Sequence, residues 1–242
     1  MVYSLSMDLK PSEIHIWTFS LSASAEETAN YFDLLSPDEQ IKAKRFHFEK
    51  HQQRYTVAHG MVRTILGLYL KLEPQQIQFT YNPHQKPYLD YPDDIFFNLS
   101  HSDDLGALAV TKAGEIGIDV EKITYDKKSE VARRYFSPTE VSHLQSLPEN
   151  EQLAGFYKIW ARKEAVIKAN GEGLANALDT FSVPLADNPA KVILVGKKWL
   201  LIPVDLHKDY ASAIAVENNV NSVSICKLVN QKPNIDSIIN LD

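Results

Sequence analysis

The 242-residue chain predicts an α+β fold in which two similar α/β halves pair as a pseudo-dimer, with a site between them. Three observations predict it. Leu35-Ser36-Pro37-Asp38-Glu39 returns as Phe136-Ser137-Pro138-Thr139-Glu140, 101 residues later. At the same spacing, the amphipathic segments Arg54–Leu70 and Gly155–Ala169 set Tyr55 on Phe156, His59 on Trp160 and Arg63 on Glu164. Each half then reaches a small-apolar run, Ala107-Leu108-Ala109-Val110 and Ala213-Ile214-Ala215-Val216. A solenoid repeats every ~20–50 residues, so so long a period points instead to a duplicated half-domain.

The elements follow in order. Ile14–Phe19 alternates as a strand does. Ser36-Pro37 begins a helix with a serine cap, proline at the first position and acids in the first turn, and Ser137-Pro138 repeats that start. The long helix Arg54–Leu70 follows, then strands at Ile77–Tyr81, Ile95–Leu99 and Leu105–Thr111, with turn signals at Asn82-Pro83 and Tyr91-Pro92-Asp93-Asp94. Lys112-Ala113-Gly114-Glu115 reads as a hairpin turn into the strand Ile116–Val120 and divides the chain into residues 1–112 and 113–242. The second half adds a helix near Ser129–Phe136, the second long helix, and strands near Thr180–Val183, Ala190–Val195, Lys198–Val204, Ala211–Val216 and Val223–Leu228. The polar tail after Val229 reads as loose.

Composition narrows the function classes. With 44% hydrophobic and 23% charged residues the chain is of globular type, and its net charge of −6 argues against general nucleic-acid binding. The single Cys226 rules out an internal disulfide and a multi-cysteine zinc site. No apolar run approaches the ~20 residues of a membrane span, and no secretory leader pattern is seen, so a cytoplasmic protein without a membrane role is expected. Walker-type and Gly-x-Gly-x-x-Gly loops and His-Glu-x-x-His are all absent.

Two acidic clusters carry the chemistry. Ile116-Gly117-Ile118 runs as an apolar strand into Asp119 and Glu121, whose i, i+2 spacing turns both carboxylates to one face. Glu164 and Lys168, at i, i+4, share a helix face. The three acids suit an oxygen-ligated Mg²⁺ handling a phosphate, with a lysine close by. A solvated edge strand and a surface Glu–Lys pair would show the same pattern. Asn98-Leu99-Ser100-His101-Ser102, at a strand end, offers hydroxyls and an imidazole to a phosphate, or forms an ordinary polar turn. Ser100 with His101 as its base has poor geometry for a nucleophile pair, and no Gly-x-Ser-x-Gly elbow is present. Basic residues gather at Lys42, Lys44, Arg45, Lys50, Arg54, Arg63 and Lys86, as solvated faces or as phosphate clamps.

These segments, in this order, resemble the Sfp-type 4′-phosphopantetheinyl transferases. The resemblance rests on Leu35-Ser36-Pro37 with the basic run to Arg45-Phe46, Gln85-Lys86-Pro87-Tyr88, and Phe97-Asn98-Leu99-Ser100-His101-Ser102. It continues through Gly117-Ile118-Asp119-Val120-Glu121, the second Ser-Pro start, Trp160-Ala161-Arg162-Lys163-Glu164-Ala165-Val166-Ile167-Lys168 and Gly171-Glu172-Gly173-Leu174. It implies transfer of the phosphopantetheine arm of coenzyme A to a serine of an apo acyl or peptidyl carrier protein, releasing adenosine 3′,5′-bisphosphate. It also implies Mg²⁺, or Mn²⁺, on Asp119, Glu121 and Glu164, with Glu164 and Lys168 catalytic. Ser100 and His101 would hold the nucleotide end of coenzyme A, Lys42, Arg54 and Lys86 would contact it, and Lys163 and Lys168 would flank the pyrophosphate. On this basis residues 1–112 bind the nucleotide, residues 113–242 bind the metal and the carrier, and the segment from Gly171 to about Leu200 meets the carrier. Given the net charge of −6, docking is expected on an apolar or locally basic patch near Lys163, Lys168 and the loop Gly171–Leu178. A monomer is expected because the second half supplies the partner surface. One departure stands out: Glu39 occupies a place where a well-known member has lysine. A coenzyme A-binding module without transferase activity and a Mg²⁺-dependent pyrophosphate hydrolase are the alternatives.

Overall fold

The computed structural model describes residues 6–91, 94–125, 134–173 and 178–241. The chain runs β1 (Glu13–Ser20), α1 (Ala25–Leu34), α2 (Pro37–Lys44), α3 (Glu49–Leu70), β2 (Phe79–Tyr81), β3 (Pro87–Leu89), β4 (Phe96–Ser102), β5 (Leu105–Thr111) and β6 (Ile116–Lys122). It continues with α4 (Pro138–Ser146), α5 (Glu149–Asn170), β7 (Ala190–Leu194), β8 (Lys197–Val204), β9 (Tyr210–Val216), β10 (Ser222–Val229) and β11 (Lys232–Asn240). The helix expected near Ser129–Phe136 and the turn at Tyr91–Asp94 lie largely outside the described residues.

The duplication is visible in the sheets. One sheet has the order β11-β10-β1-β5-β4 and the other β6-β9-β8-β7, so β1-β5-β4 and β6-β9-β8 are the same antiparallel trio built twice. The long helices α3 and α5 are both 22 residues and start 100 residues apart. Alternation along each strand sorts side chains into layers. Ile14 and Ile16 of β1 share a core with Ile118 and Val120 of β6 and with Ile202 and Ile214, so the two sheets bury facing sides. Trp17 and Phe19 face α3 through Val62, Ile65 and Leu66. On the far side, Ile159, Val166 and Ile167 of α5 pack on Trp199, Leu201 and Ala213. Burying each such side chain stabilises the fold by roughly 1.5–3 kcal/mol.

Three expectations change, and one helix is added. The Lys112–Glu115 turn does not close a hairpin: β6 pairs with β9, and the chain crosses there from one sheet to the other, with Gly114 at φ +105°. Residues 180–183 are no strand; a 3-10 turn at Leu178–Thr180 leads into chain whose backbone groups are held by buried side chains, Lys163 Nζ on the Phe181 carbonyl and Glu140 Oε1 on the Val183 N–H. The polar tail is ordered as β11, which pairs antiparallel with β10 across a turn with Asn230 and Gln231 at φ 50° and 60°. Backbone hydrogen bonds make that strand, and its mostly exposed side chains gave no apolar pattern to read. Helix α1 is not among the expected elements; none of its residues is fully buried, though Tyr31 and Phe32 pack on the cores, and a Ser24–Glu27 capping box fixes its start.

Candidate active site

Strand β6 brings the first two acids to the site. Its Ile116, Ile118 and Val120 enter the inter-sheet core, so Gly117, Asp119 and Glu121 turn to the α5 side. Gly117 permits the close approach of that helix: a Cβ there would stand 2.1 Å from the Ala165 carbonyl oxygen and 2.3 Å from the Ala169 nitrogen. Without that contact α5 would be lifted away, and Glu164 and Lys168 with it.

The result is a cavity of about 370 Å³ lined by Leu99, Ser100, His101, Asp119, Glu121, Trp160, Glu164 and Lys168. Lys168 Nζ donates to Asp119 Oδ1 at 2.7 Å and to Ser100 Oγ at 3.0 Å. Ser100 Oγ donates to the same Asp119 Oδ1 at 3.0 Å, and Ser102 Oγ donates to Glu121 Oε2 at 3.2 Å. Burial, then the neighbouring Asp119 charge, push both the Glu121 and the Glu164 carboxyl above the ordinary range. Lost hydration, with Lys168, His59 and Arg54 nearby, lowers the His101 imidazole. Three acids crowded at one wall and facing a single lysine form a place that favours an added cation.

The residues fit a hard divalent ion. Among the described residues no group of three His, Cys, Asp or Glu side chains stands ready as a metal cage, and Lys168 takes one oxygen of Asp119. The other, Asp119 Oδ2, is buried and has no hydrogen-bond partner among the described residues. An orphaned carboxylate oxygen is costly, and an oxygen-seeking cation would relieve it.

Of the residues expected at the site, Asp119, Glu121, Glu164, Lys168, Ser100 and His101 come together. Arg54 lies in an adjoining cavity of about 410 Å³ that shares Glu121, and is gripped by Asp103 at 2.5 Å and Asp104 at 2.6 Å. Lys42 is an exposed residue of α2 over the Tyr55 ring. Two lysines are elsewhere. Lys163 is fully buried against Glu140 at 2.9 Å, with the Leu178 and Phe181 carbonyls at 2.5 Å, so it neither lines the cleft nor offers a docking surface. Lys86 is a tie between the halves, reaching Glu115 at 2.6 Å and the carbonyls of Ile116 and Ala169 at 3.2 and 3.0 Å. Glu39 faces inward onto Arg63 at 2.7 Å, so the acid in place of lysine belongs to the core. Ser100 Oγ is hydrogen-bonded to Asp119, the Val120 N–H and Lys168, with no hydrogen bond to His101 among the described residues, so no serine–histidine pair forms. Ser102 and Trp160 are site residues without an assigned role in the sequence reading; the i, i+2 spacing of Ser100 and Ser102 was the available signal for the first.

Known proteins match along most of the chain. The model of the 4′-phosphopantetheinyl transferase superfamily matches residues 115–215, and that of the 4′-phosphopantetheinyl transferase N-terminal region matches residues 20–113. The 4′-phosphopantetheinyl transferase HetI of Nostoc sp. is 34% identical over 216 residues, 87% of this chain and 90% of that protein. The 4′-phosphopantetheinyl transferase Sfp of Bacillus subtilis is 35% identical over 162 residues, 67% and 71% of the two chains. The transferase gsp of Aneurinibacillus migulanus is 28% identical over 223 residues, 90% and 88%. Signature segments that meet in one cleft and relatives matched along most of their length agree: the chain belongs to the 4′-phosphopantetheinyl transferase superfamily.

Proposed function

We propose that the cleft transfers the 4′-phosphopantetheine arm of coenzyme A to a serine hydroxyl of an apo acyl or peptidyl carrier protein. The observation that carries this reading is the meeting of Asp119, Glu121, Glu164 and Lys168, from the two signature segments, around one cavity. Asp119, Glu121 and Glu164 would hold Mg²⁺, or Mn²⁺ with the same oxygen donors. The ion, when bound, neutralises the pyrophosphate and the charge that develops as it breaks.

The chain's own groups do the rest. Lys168, fixed by Asp119 and Ser100, presents its ammonium to the phosphate oxygens and steadies the departing adenosine 3′,5′-bisphosphate. Glu164, lining the cavity beside Asp119, is the nearest carboxylate to take the proton of the attacking serine, directly or through a water. The serine oxygen bonds to the β-phosphorus, the bridging P–O bond breaks, and the proton rests on Glu164. His101, Lys42 and Arg54 are the groups we assign to the nucleotide phosphates. The chain works as a monomer in this reading, since each half already has its partner. No helix of the described residues is long and apolar enough to cross a membrane.

Incubation with coenzyme A, Mg²⁺ and an apo carrier, followed by weighing the carrier, decides the function. A carrier heavier by one phosphopantetheine supports transfer. Cleaved coenzyme A beside an unmodified carrier means a hydrolase, and no change in either means a binding module.

A further inference from the structure

We infer that Ser100 and Ser102 are positioning residues that aim the metal-binding carboxylates, and that Ser100 does not contact the nucleotide. The inference rests on the transferase reading and its metal. Strands β4 and β6 are neighbouring edges of two different sheets, and among the described residues no backbone ladder joins them. Side chains of β4 join them instead. Asn98 Oδ1 accepts the Ile118 N–H at 2.9 Å, Ser100 Oγ the Val120 N–H at 3.2 Å, and Ser102 Oγ the Lys122 N–H at 3.1 Å. Residues two apart on one strand thereby satisfy the outward N–H groups two apart on the other.

The same hydroxyls also grip the acids between those N–H groups. Ser100 donates to Asp119 and Ser102 to Glu121. A serine hydroxyl has one proton and two lone pairs. Ser100 gives its proton to Asp119 and accepts from both the Val120 N–H and Lys168 Nζ, so it has no capacity left for a phosphate oxygen. Its effect is on Asp119: Oδ1 is held by Ser100 and Lys168, and Oδ2 is left as the buried, unpartnered atom. Fixing one oxygen so that the other points at the ion is what outer-shell partners of metal ligands do, and their loss typically costs about 10–100-fold in metal affinity.

The test measures two bindings separately in the intact protein. Mn²⁺ alone is titrated by its electron-paramagnetic-resonance signal, and adenosine 3′,5′-bisphosphate alone is titrated by calorimetry without metal. Ser100→Ala and Ser102→Ala should each bind Mn²⁺ about 10-fold or more weakly, with nucleotide affinity unchanged, and Ser102→Thr should restore the ion. Unchanged Mn²⁺ affinity in both alanine variants overturns the inference. So does a Ser100→Ala that loses nucleotide while keeping the ion, which would make Ser100 a nucleotide contact. If wild-type protein binds no Mn²⁺, the metal reading itself falls, a result distinct from either. Should Ser100→Ala melt at the assay temperature, the partly exposed Ser102→Ala decides alone.

Discussion

In the first half Glu39, third residue of α2, reaches across to Arg63 of α3, whose guanidinium also takes the carbonyls of Pro74 and Ile77 in the turn after that helix. In the second half Glu140, third residue of α4, reaches Lys163 of α5, whose ammonium takes the carbonyls of Leu178 and Phe181 in the turn after that helix. The two buried clamps are the same device. They align the long helices at a spacing of 100, matching their ends, whereas the 101-residue spacing of the Ser-Pro starts set Arg63 against Glu164. At the helix spacing, Glu164 and Lys168 fall opposite Thr64 and Leu68. Thr64 bonds its own helix at the Gly60 carbonyl, and Leu68 is buried in the core. The strands repeat the contrast: β1 turns Trp17 and Phe19 toward its helix, where β6 turns Gly117, Asp119 and Glu121. One copy is packed and the other is hollowed into a cleft, and the difference is a handful of side chains on one scaffold.

The clamps give the largest expected effect. Arg63→Met and Lys163→Met should each cost about 3–5 kcal/mol in urea unfolding, because each leaves a buried carboxylate unpaired. A stable Lys163→Met with a raised KM for coenzyme A would break the comparison and return Lys163 to the substrate. Next comes acid. Burial by itself would raise the Glu39 carboxyl, but bonds from His59, the Ser36 N–H and Arg63 outweigh it and hold it at about 2. A lowered carboxyl stabilises the fold above its unfolded value of 4.5, and that stability is lost as pH falls from 4.5 toward 2. Glu39→Gln should therefore flatten the stability profile across that window, by on the order of 3 kcal/mol; a profile as steep as wild type would mean that Glu39 is not the titrating group.

Chemistry separates the halves by a similar amount. Glu164→Gln should slow transfer by about 10²-fold or more, whereas Thr64→Ala, at the matching place, should leave the rate alone. Near-wild-type turnover by Glu164→Gln would remove it from the mechanism. The smallest effect belongs to the tie between the halves. Lys86→Met should lower stability by about 1–3 kcal/mol through the stranded Glu115 and backbone carbonyls, with KM for coenzyme A little changed. The opposite split would put Lys86 at the substrate.

Local chemistry made most of this legible. Capping residues fixed the starts of α2 and α4 because a cap is a contact between residues three apart. The i, i+2 and i, i+4 spacings gave the facing of Asp119 with Glu121 and of Glu164 with Lys168, since strand and helix periods are properties of the backbone. The family was readable for the same reason, as its signatures are short and contiguous. What the spacing could not show is which charges would be buried. Lys163 sits beside Glu164 in sequence, yet one faces Glu140 in the core and the other the cleft.

The sequence by itself determined the duplicated α+β plan, the long helices, the three acids and the lysine, because periodicity and capping act over a few residues. Only the tertiary structure decided the roles of the remaining charges. Burial and long-range pairing set whether Glu39, Arg63, Lys86 and Lys163 serve structure or substrate, and those partners lie as far as 83 residues away along the chain. It also decided that β6 pairs with β9 rather than folding back on β5, that the polar tail becomes a strand, and that the serines of β4 face the carboxylates of β6. Those outcomes depend on which backbone edges are left to satisfy once the core has closed, and no local pattern records that.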